Sequence, residues 1–150
     1  MVGEASYFSK LDLHSCFHRI RLFPEHVERT AFRTKYGTSV YQVIPFGLCN
    51  APATFQKTMC YIFQIMRQFA GAYIYDILIY TKTLEDDLQS LRKIYDKLRQ
   101  GSFFAGPDKC TWAQSEVEHC GFILGKHGIS PHPGNLLAIL HWPPQEALQT

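Results

Sequence analysis

The stretch Ala72-Tyr73-Ile74-Tyr75-Asp76-Ile77-Leu78-Ile79-Tyr80 constrains this chain more than any other. Two short apolar runs, rich in β-branched and aromatic side chains, meet at a tight and partly acidic junction. That pattern predicts a β-hairpin with Asp76 at or beside the bend. An acid so placed is costly unless water, a partner or a cation meets it. A second acid, Asp12, ends another apolar stretch, Tyr7-Phe8-Ser9-Lys10-Leu11-Asp12-Leu13. Two strand-borne carboxylates that converge in space can hold Mg²⁺ for phosphoryl chemistry.

A length of 150 residues suits one domain or part of one. Hydrophobic content of 46% argues against disorder. Aromatics at 14% can fill a core or stack on bases. The formal net charge of +2 is too mild to mark a nucleic-acid binder by itself. No stretch approaches the ~20 apolar residues of a membrane span, so no membrane partner is expected. Residues 1–30 lack a basic region followed by an apolar one, so no secretory signal is expected. Glu4, Asp12, Glu25 and Glu28 are unlike an acid-poor transit peptide. The 5 cysteines (Cys16, Cys49, Cys60, Cys110, Cys120) have no framework spacing. Free thiols in a reducing compartment are the simplest account. Cys110, His119, Cys120 and His127 lack the paired spacing of a zinc site.

The pattern predicts a strand ending near Leu13, then a turn or short helix over His14 to Ile20. Thr30 to Thr34 and Val40 to Ile44 read as strands, with Lys35-Tyr36-Gly37-Thr38 turning between them. Asn50 is placed to cap a helix with Pro52 in its first turn. Phe55, Met59, Ile62, Phe63 and Met66 give that helix an apolar face. Gly71 is expected to separate the helix from the hairpin. Thr83 caps the next helix with Asp86 as its box partner. Its apolar stripe reads as Leu84, Leu88, Leu91, Tyr95 and Leu98, and Gly101 ends it. Glu118 to Leu124 reads as one strand, and Lys126-His127-Gly128 as a turn. Asn135 to Leu140 reads as a short helix halted by Pro143-Pro144. Helices covering one face of a mainly antiparallel sheet make this an α+β chain.

Ser9-Lys10-Leu11-Asp12-Leu13-His14-Ser15-Cys16-Phe17-His18-Arg19-Ile20 resembles the first catalytic motif of reverse transcriptases from gypsy-type LTR retrotransposons. Thr30-Ala31-Phe32-Arg33-Thr34 and Pro45-Phe46-Gly47-Leu48-Cys49-Asn50-Ala51-Pro52-Ala53-Thr54-Phe55-Gln56 look like the next blocks of that family. Tyr73 to Tyr80 resembles its Tyr-x-Asp-Asp box. Lys109-Cys110 and Ser115-Glu116-Val117-Glu118-His119-Cys120-Gly121 match the segments that follow. The blocks come in the family's order and cover nearly the whole chain. The resemblance implies the palm of a right-hand polymerase over 1–24 and 45–127, with a primer-gripping hairpin. It implies a fingers remnant over 25–44 and the start of a thumb over 128–150. It also implies RNA/DNA primer-template and dNTP partners, and Mg²⁺ or Mn²⁺ as cofactor.

By the same resemblance, Asp12 and Asp76 are metal-ligand and catalytic positions. Phe17 stands under the incoming sugar, and Phe46 and Gly47 shape the nucleotide pocket. Lys109 comes near the triphosphate, Gln56 lies on the template side, and His119, Cys120 and Gly121 hold the primer end. Each has a plainer reading as core aromatic, turn glycine, exposed polar residue or sheet-edge hairpin. The departures matter as much. Tyr75 stands where the box has its first Asp, a main metal ligand of the family. A phenol titrates near pH ~10 and is neutral at pH 7. It cannot supply the hard anionic oxygen that Mg²⁺ prefers. Cys16 and Arg19 also depart from the usual glycine and glutamine.

Three functions stay open on the sequence. The first is a truncated reverse-transcriptase homologue with little or no polymerase activity, a retroelement relic. The second is an active RNA-directed DNA polymerase using Asp12 and Asp76. The third is a non-enzymatic module that binds nucleic acid or protein. Such a relic can lie in a nuclear or an organellar genome, and an organelle such as a mitochondrion is the expectation.

Overall fold

The computed structural model describes residues 2–142. Its centre is strand β1 (Tyr7–His14). Neighbouring side chains of a strand point to opposite faces, yet Phe8 and Leu11 are both fully buried. β1 is therefore covered on both sides, which explains why its apolar pattern is nearly continuous. A short 3₁₀ turn (Cys16–Arg19) follows, then α1 (Pro24–Val27). A small hairpin comes next, β2 (Phe32–Thr34) with β3 (Gly37–Ser39). Helix α2 (Ala51–Ile62) leads to the hairpin of β4 (Ala70–Tyr73) and β5 (Asp76–Thr81). Helix α3 (Leu84–Gln100) precedes the short strands β6 (Phe104–Ala105) and β7 (Thr111–Gln114). The chain continues through β8 (Glu116–His119), β9 (Phe122–Gly125), β10 (Gly128–Pro131) and α4 (Pro133–Leu140).

The main sheet runs β4-β5-β1-β6, with β7 also paired to β1, and every pairing is antiparallel. One face carries Leu11, Leu13, Ile77 and Ile79 against Phe55 and Met59 of α2 and Leu91, Ile94 and Leu98 of α3. The other face carries Phe8 and Leu78 against Val117 and Leu124 of the second sheet, β10-β9-β8. The expected α+β class, with helices on one face of an antiparallel sheet, is what the chain adopts.

Several local expectations are corrected. Val40–Ile44 is not a strand. The hairpin closes early because the Thr34 hydroxyl donates to the Gly37 carbonyl and accepts from the Tyr36 amide. The later segment instead meets Arg21 at Val43 in an isolated bridge. Gly71 lies within β4 rather than before it. Glu118 to Leu124 is two strands, because Cys120 and Gly121 turn with φ of 53° and 78°. Helix α4 starts at Pro133, earlier than expected, because His132 caps it by accepting from the Gly134 amide. The proline pair at 143–144 lies outside the described residues.

The buried face of α3 is also rotated from the expected stripe. Leu84, Leu88 and Tyr95 are exposed, whereas Asp87, Ser90, Leu91, Ile94 and Leu98 are buried. Asp87 is the reason the pattern misleads. Its carboxylate accepts from the Ser9 hydroxyl at 2.7 Å, and Ser9 Oγ accepts from the Ala113 amide at 2.8 Å. This chain of bonds ties α3 to β1 and to β7. It sits where the β1–β7 register shifts between Phe8 and Lys10. Ala113 takes a left-handed φ of 47° there. A bulge needs such support, because its extra residue leaves the ladder.

Burial pushes the Asp87 carboxyl above its ordinary value, and the Ser9 and Thr81 hydroxyls oppose that only in part. A raised folded-state pKa adds stability below the unfolded pKa, which is lost as pH rises through the folded pKa. Asp87→Asn keeps an acceptor for Ser9 and removes the titration. We expect its melting temperature to lose this pH dependence and to gain on the parent above the raised pKa. Each kcal/mol would appear as about 3 °C in a chain of this size. Thermal melts of both proteins from pH 4 to pH 8 check it; parallel curves would sink the assignment.

Candidate active site

Antiparallel pairing sets Asp12 of β1 directly opposite Asp76 of β5. The residues two positions apart on a strand share a face, so Lys10 projects beside Asp12. Its ammonium lies 3.6 Å from Asp76 Oδ1, with both side chains largely covered. That carboxylate oxygen is buried and accepts no hydrogen bond. Lys10 is therefore what offsets its charge. Sequence reasoning passed over Lys10, although the period of two from Asp12 was a usable signal.

The bend between β4 and β5 is Ile74-Tyr75. Tyr75 is 44% exposed, and its carbonyl accepts from the Leu13 amide at 2.8 Å. Ile74 takes φ 51°, a left-handed conformation that β-branched residues rarely adopt. Gln56 of α2 braces it. The Gln56 side-chain oxygen accepts from the Ile74 amide at 2.6 Å, and its amide nitrogen donates to the Ala72 carbonyl at 2.9 Å. Gln56 was expected on the template side; both ends of its amide are instead engaged with the hairpin backbone. Its neighbour Phe55 is fully buried, whereas Gln56 itself is half-buried at the edge of the apolar face of α2.

The aromatic positions gather on one side. Phe17 packs on Phe55 at 5.2 Å and on Phe46 at 5.5 Å between ring centroids. Phe46 also meets His18 at 5.1 Å and remains 68% exposed. Gly47 has φ 94° with open space at its missing Cβ, so backbone conformation, not crowding, calls for glycine. Arg19 stacks its guanidinium 4.6 Å over Phe104 of β6. Cys16 is buried in the helix-side core, and burial pushes its thiol up.

Lys109 is exposed at the end of a 3₁₀ turn (Pro107–Lys109). The loop is anchored to the acid strand, because the Gly106 amide donates to the Asp12 carbonyl at 2.8 Å. His119 and Cys120 lie near Asp76 and Lys10 at the β8–β9 turn. Burial pulls the His119 imidazole down, with Asp76 opposing and Lys10 adding to the fall. Burial pushes the Cys120 thiol up, and Asp76 adds to it. His119 Nδ1 is buried without a hydrogen-bond partner.

A divalent cation fits this donor set poorly. Hard cations such as Mg²⁺ take about six oxygen ligands in near-octahedral order. Here two carboxylates converge, one of them already faced by an ammonium, and the bend offers a phenol. Among the described residues no group of three or more His, Cys, Asp or Glu side chains is placed to hold a metal ion. No helix of the described residues is long and apolar enough to cross a membrane.

Residues 2–124 match the profile of the family described as reverse transcriptase (RNA-dependent DNA polymerase). The chain is 36% identical over 143 residues to the retrovirus-related Pol polyprotein from transposon 297 of Drosophila melanogaster, covering 95% of this chain and 14% of that one. It is 32% identical over 152 residues to the Pol polyprotein from transposon opus of the same fly, covering 99% and 15%. The Tf2-3 transposon polyprotein of Schizosaccharomyces pombe is 30% identical over 142 residues, covering 94% and 11%. The chain thus spans a small part of the length of the curated relatives it matches. Among solved structures, the foamy viral protease-reverse transcriptase dRH in complex with double-stranded DNA superposes with a TM-score of 0.83 at 22% identity, covering 93% of this chain and 25% of that one. The same viral enzyme in complex with an RNA/DNA hybrid gives 0.81 at 22% identity, covering 93% and 20%.

The brace on the hairpin bend is open to test. Gln56→Leu leaves the Ile74 amide and the Ala72 carbonyl without partners, at a cost of about 1–3 kcal/mol. We expect a lower urea midpoint and faster hydrogen exchange at Ile74 than at Ile79. Unchanged exchange at Ile74 would show that the bend holds without the glutamine.

Proposed function

The chain belongs to the reverse transcriptase family, in its gypsy-type branch, and on that premise we propose that it keeps a polymerase palm able to meet primer-template while adding nucleotides little or not at all. The observation that carries this reading is Tyr75 at the hairpin bend beside Asp12 and Asp76. Reverse transcriptases use divalent metal, which brings the 3′-hydroxyl and the α-phosphate together and stabilises the developing charge. With a phenol in place of a carboxylate, this chain lacks one anionic oxygen for that work. A deficit of a few kcal/mol in stabilisation is enough for a hundredfold to thousandfold loss, since each ~1.4 kcal/mol is tenfold.

The remaining residues support the binding half of the reading. Phe17 and Phe46 pack edge to face at the turn that follows the Asp12 strand. In this proposal the pair lies under the incoming sugar and base, with Gly47 letting the backbone come close. Lys109 offers a positive charge to phosphate from a loop anchored on the acid strand. His119, Cys120 and Gly121 present a tight bend to the primer end. Gln56 acts on the template side only through the hairpin it braces. Residues 1–24 and 45–127 serve as palm and 25–44 as fingers. The segment from 128 begins a thumb, and its last residues lie outside those described. Nucleic-acid contact of this kind rests mainly on backbone charge and weakens with salt.

A second reading, an active RNA-directed DNA polymerase, is favoured by one observation, the direct opposition of Asp12 and Asp76. Primer extension on an RNA template with Mg²⁺ or Mn²⁺ separates the two. We expect the Tyr75→Asp protein to extend at least about a hundredfold faster than the unmodified chain. An Asp12→Asn, Tyr75→Asp double variant should be silent. Extension by the unmodified chain that Asp12→Asn abolishes would establish the active enzyme instead.

A further inference from the structure

We infer that Lys10 is a tethered cation standing in for a metal at Asp76, so that the acid pair of β1 and β5 meets nucleic acid without any divalent ion. The inference rests on the nucleic-acid reading above and says how that contact is made electrically possible. Phosphate cannot approach a cluster of bare carboxylates without strong repulsion. Divalent ions normally cancel that charge, and they dominate the electrostatics of such a site. This chain lowers the charge in two other ways. Tyr75 removes one carboxylate from the bend outright. Lys10 places its ammonium 3.6 Å from Asp76 Oδ1, the buried oxygen that no hydrogen bond satisfies.

The pair is partly withdrawn from water, with side-chain exposures of 24% for Lys10 and 17% for Asp76. Screening by salt is weaker there than at an open surface. Asp12 is left as the one acid of the pair facing no such ammonium. A divalent ion entering beside it would meet two carboxylates at most and the positive Lys10. The same lysine that repels the ion favours a phosphate. The geometry therefore exchanges a mobile metal for a fixed side-chain charge.

Two measurements on the whole chain test this. The first is Mn²⁺ binding followed by electron paramagnetic resonance, with no nucleic acid present. The unmodified chain should show no saturable binding below about 1 mM, near the weak end of protein cation sites. The Tyr75→Asp variant should bind saturably, and the Lys10→Met, Tyr75→Asp double variant more tightly still. Sub-millimolar binding by the unmodified chain, lost in Asp12→Asn, overturns the proposal.

The second is fluorescence anisotropy of a labelled primer-template in Mg²⁺ and in EDTA at matched ionic strength. The unmodified chain and Lys10→Arg should bind equally well in both. Lys10→Met should lose about tenfold in EDTA, a deficit of ~1.4 kcal/mol, and recover part of it in Mg²⁺. A tenfold loss for the unmodified chain on removing Mg²⁺ overturns the proposal. Absence of primer-template binding in both buffers overturns the nucleic-acid reading and this clause with it, while the Mn²⁺ result still decides whether Lys10 excludes the metal. Urea melts of each variant establish that it is folded.

Discussion

The main sheet and the opposed acids depend on the pairing of β1. It takes β5 along one edge and β6 and β7 along the other. A strand with both edges paired and both faces covered has almost no freedom of register. One residue of slip would send Ser9, Leu11 and Leu13 away from the helices and bring Lys10 and Asp12 into the apolar core. That constraint aligns Asp12 with Asp76 across the sheet. The acids meet because the core forbids any other alignment, even though like charges directly opposed disfavour a sheet. Lys10 relieves that opposition from the same face.

The helix side and the acid side of the sheet obey different rules. Toward the helices, aliphatic and aromatic side chains interlock, and among the described residues the buried polar side chains are Ser9, Thr81, Asp87 and Ser90. Ser9 and Asp87 meet where β1 bulges against β7, so they do structural work that an aliphatic residue could not. Toward the other face, the β8–β9 turn closes over Lys10 and Asp76, which accounts for the displaced titration of His119 and Cys120. The site is thus assembled from strands distant in sequence, each positioned by burial rather than by the acids themselves.

Much of this could be read in advance. The apolar runs of β1 and β5, the Thr83 cap of α3 and the order of motifs pointed to the sheet, the helices and the opposed acids, whereas Asn50 precedes α2 without a side-chain cap bond. The failures share a physical cause. Asp87 and Ser90 are polar yet buried, so hydrophobic periodicity misjudged the inward face of α3. Cys120 is not a usual turn former, and its left-handed conformation split one apparent strand into two. Val40–Ile44 has strand-like composition, but hydroxyl bonds at Thr34 ended the hairpin first. Gln56 looked like a surface polar residue because its partners are backbone atoms, which leave no mark in a pattern of side chains. Lys10 was legible in principle, since strand alternation alone puts it beside Asp12.

The left-handed Ile74 reaches beyond mechanics. A β-branched residue in that conformation is costly, on the order of 1–2 kcal/mol. Glycine or asparagine there would be relaxed. While isoleucine occupies the bend, loss of Gln56 adds unpaired backbone groups to a strained turn; once the bend relaxes, the same loss falls on a turn with more stability to spare. The two positions therefore tolerate change more easily in one order than in the other. A lineage that carries this pair inherits the asymmetry, and its substitutions near the bend should bear the imprint of that history.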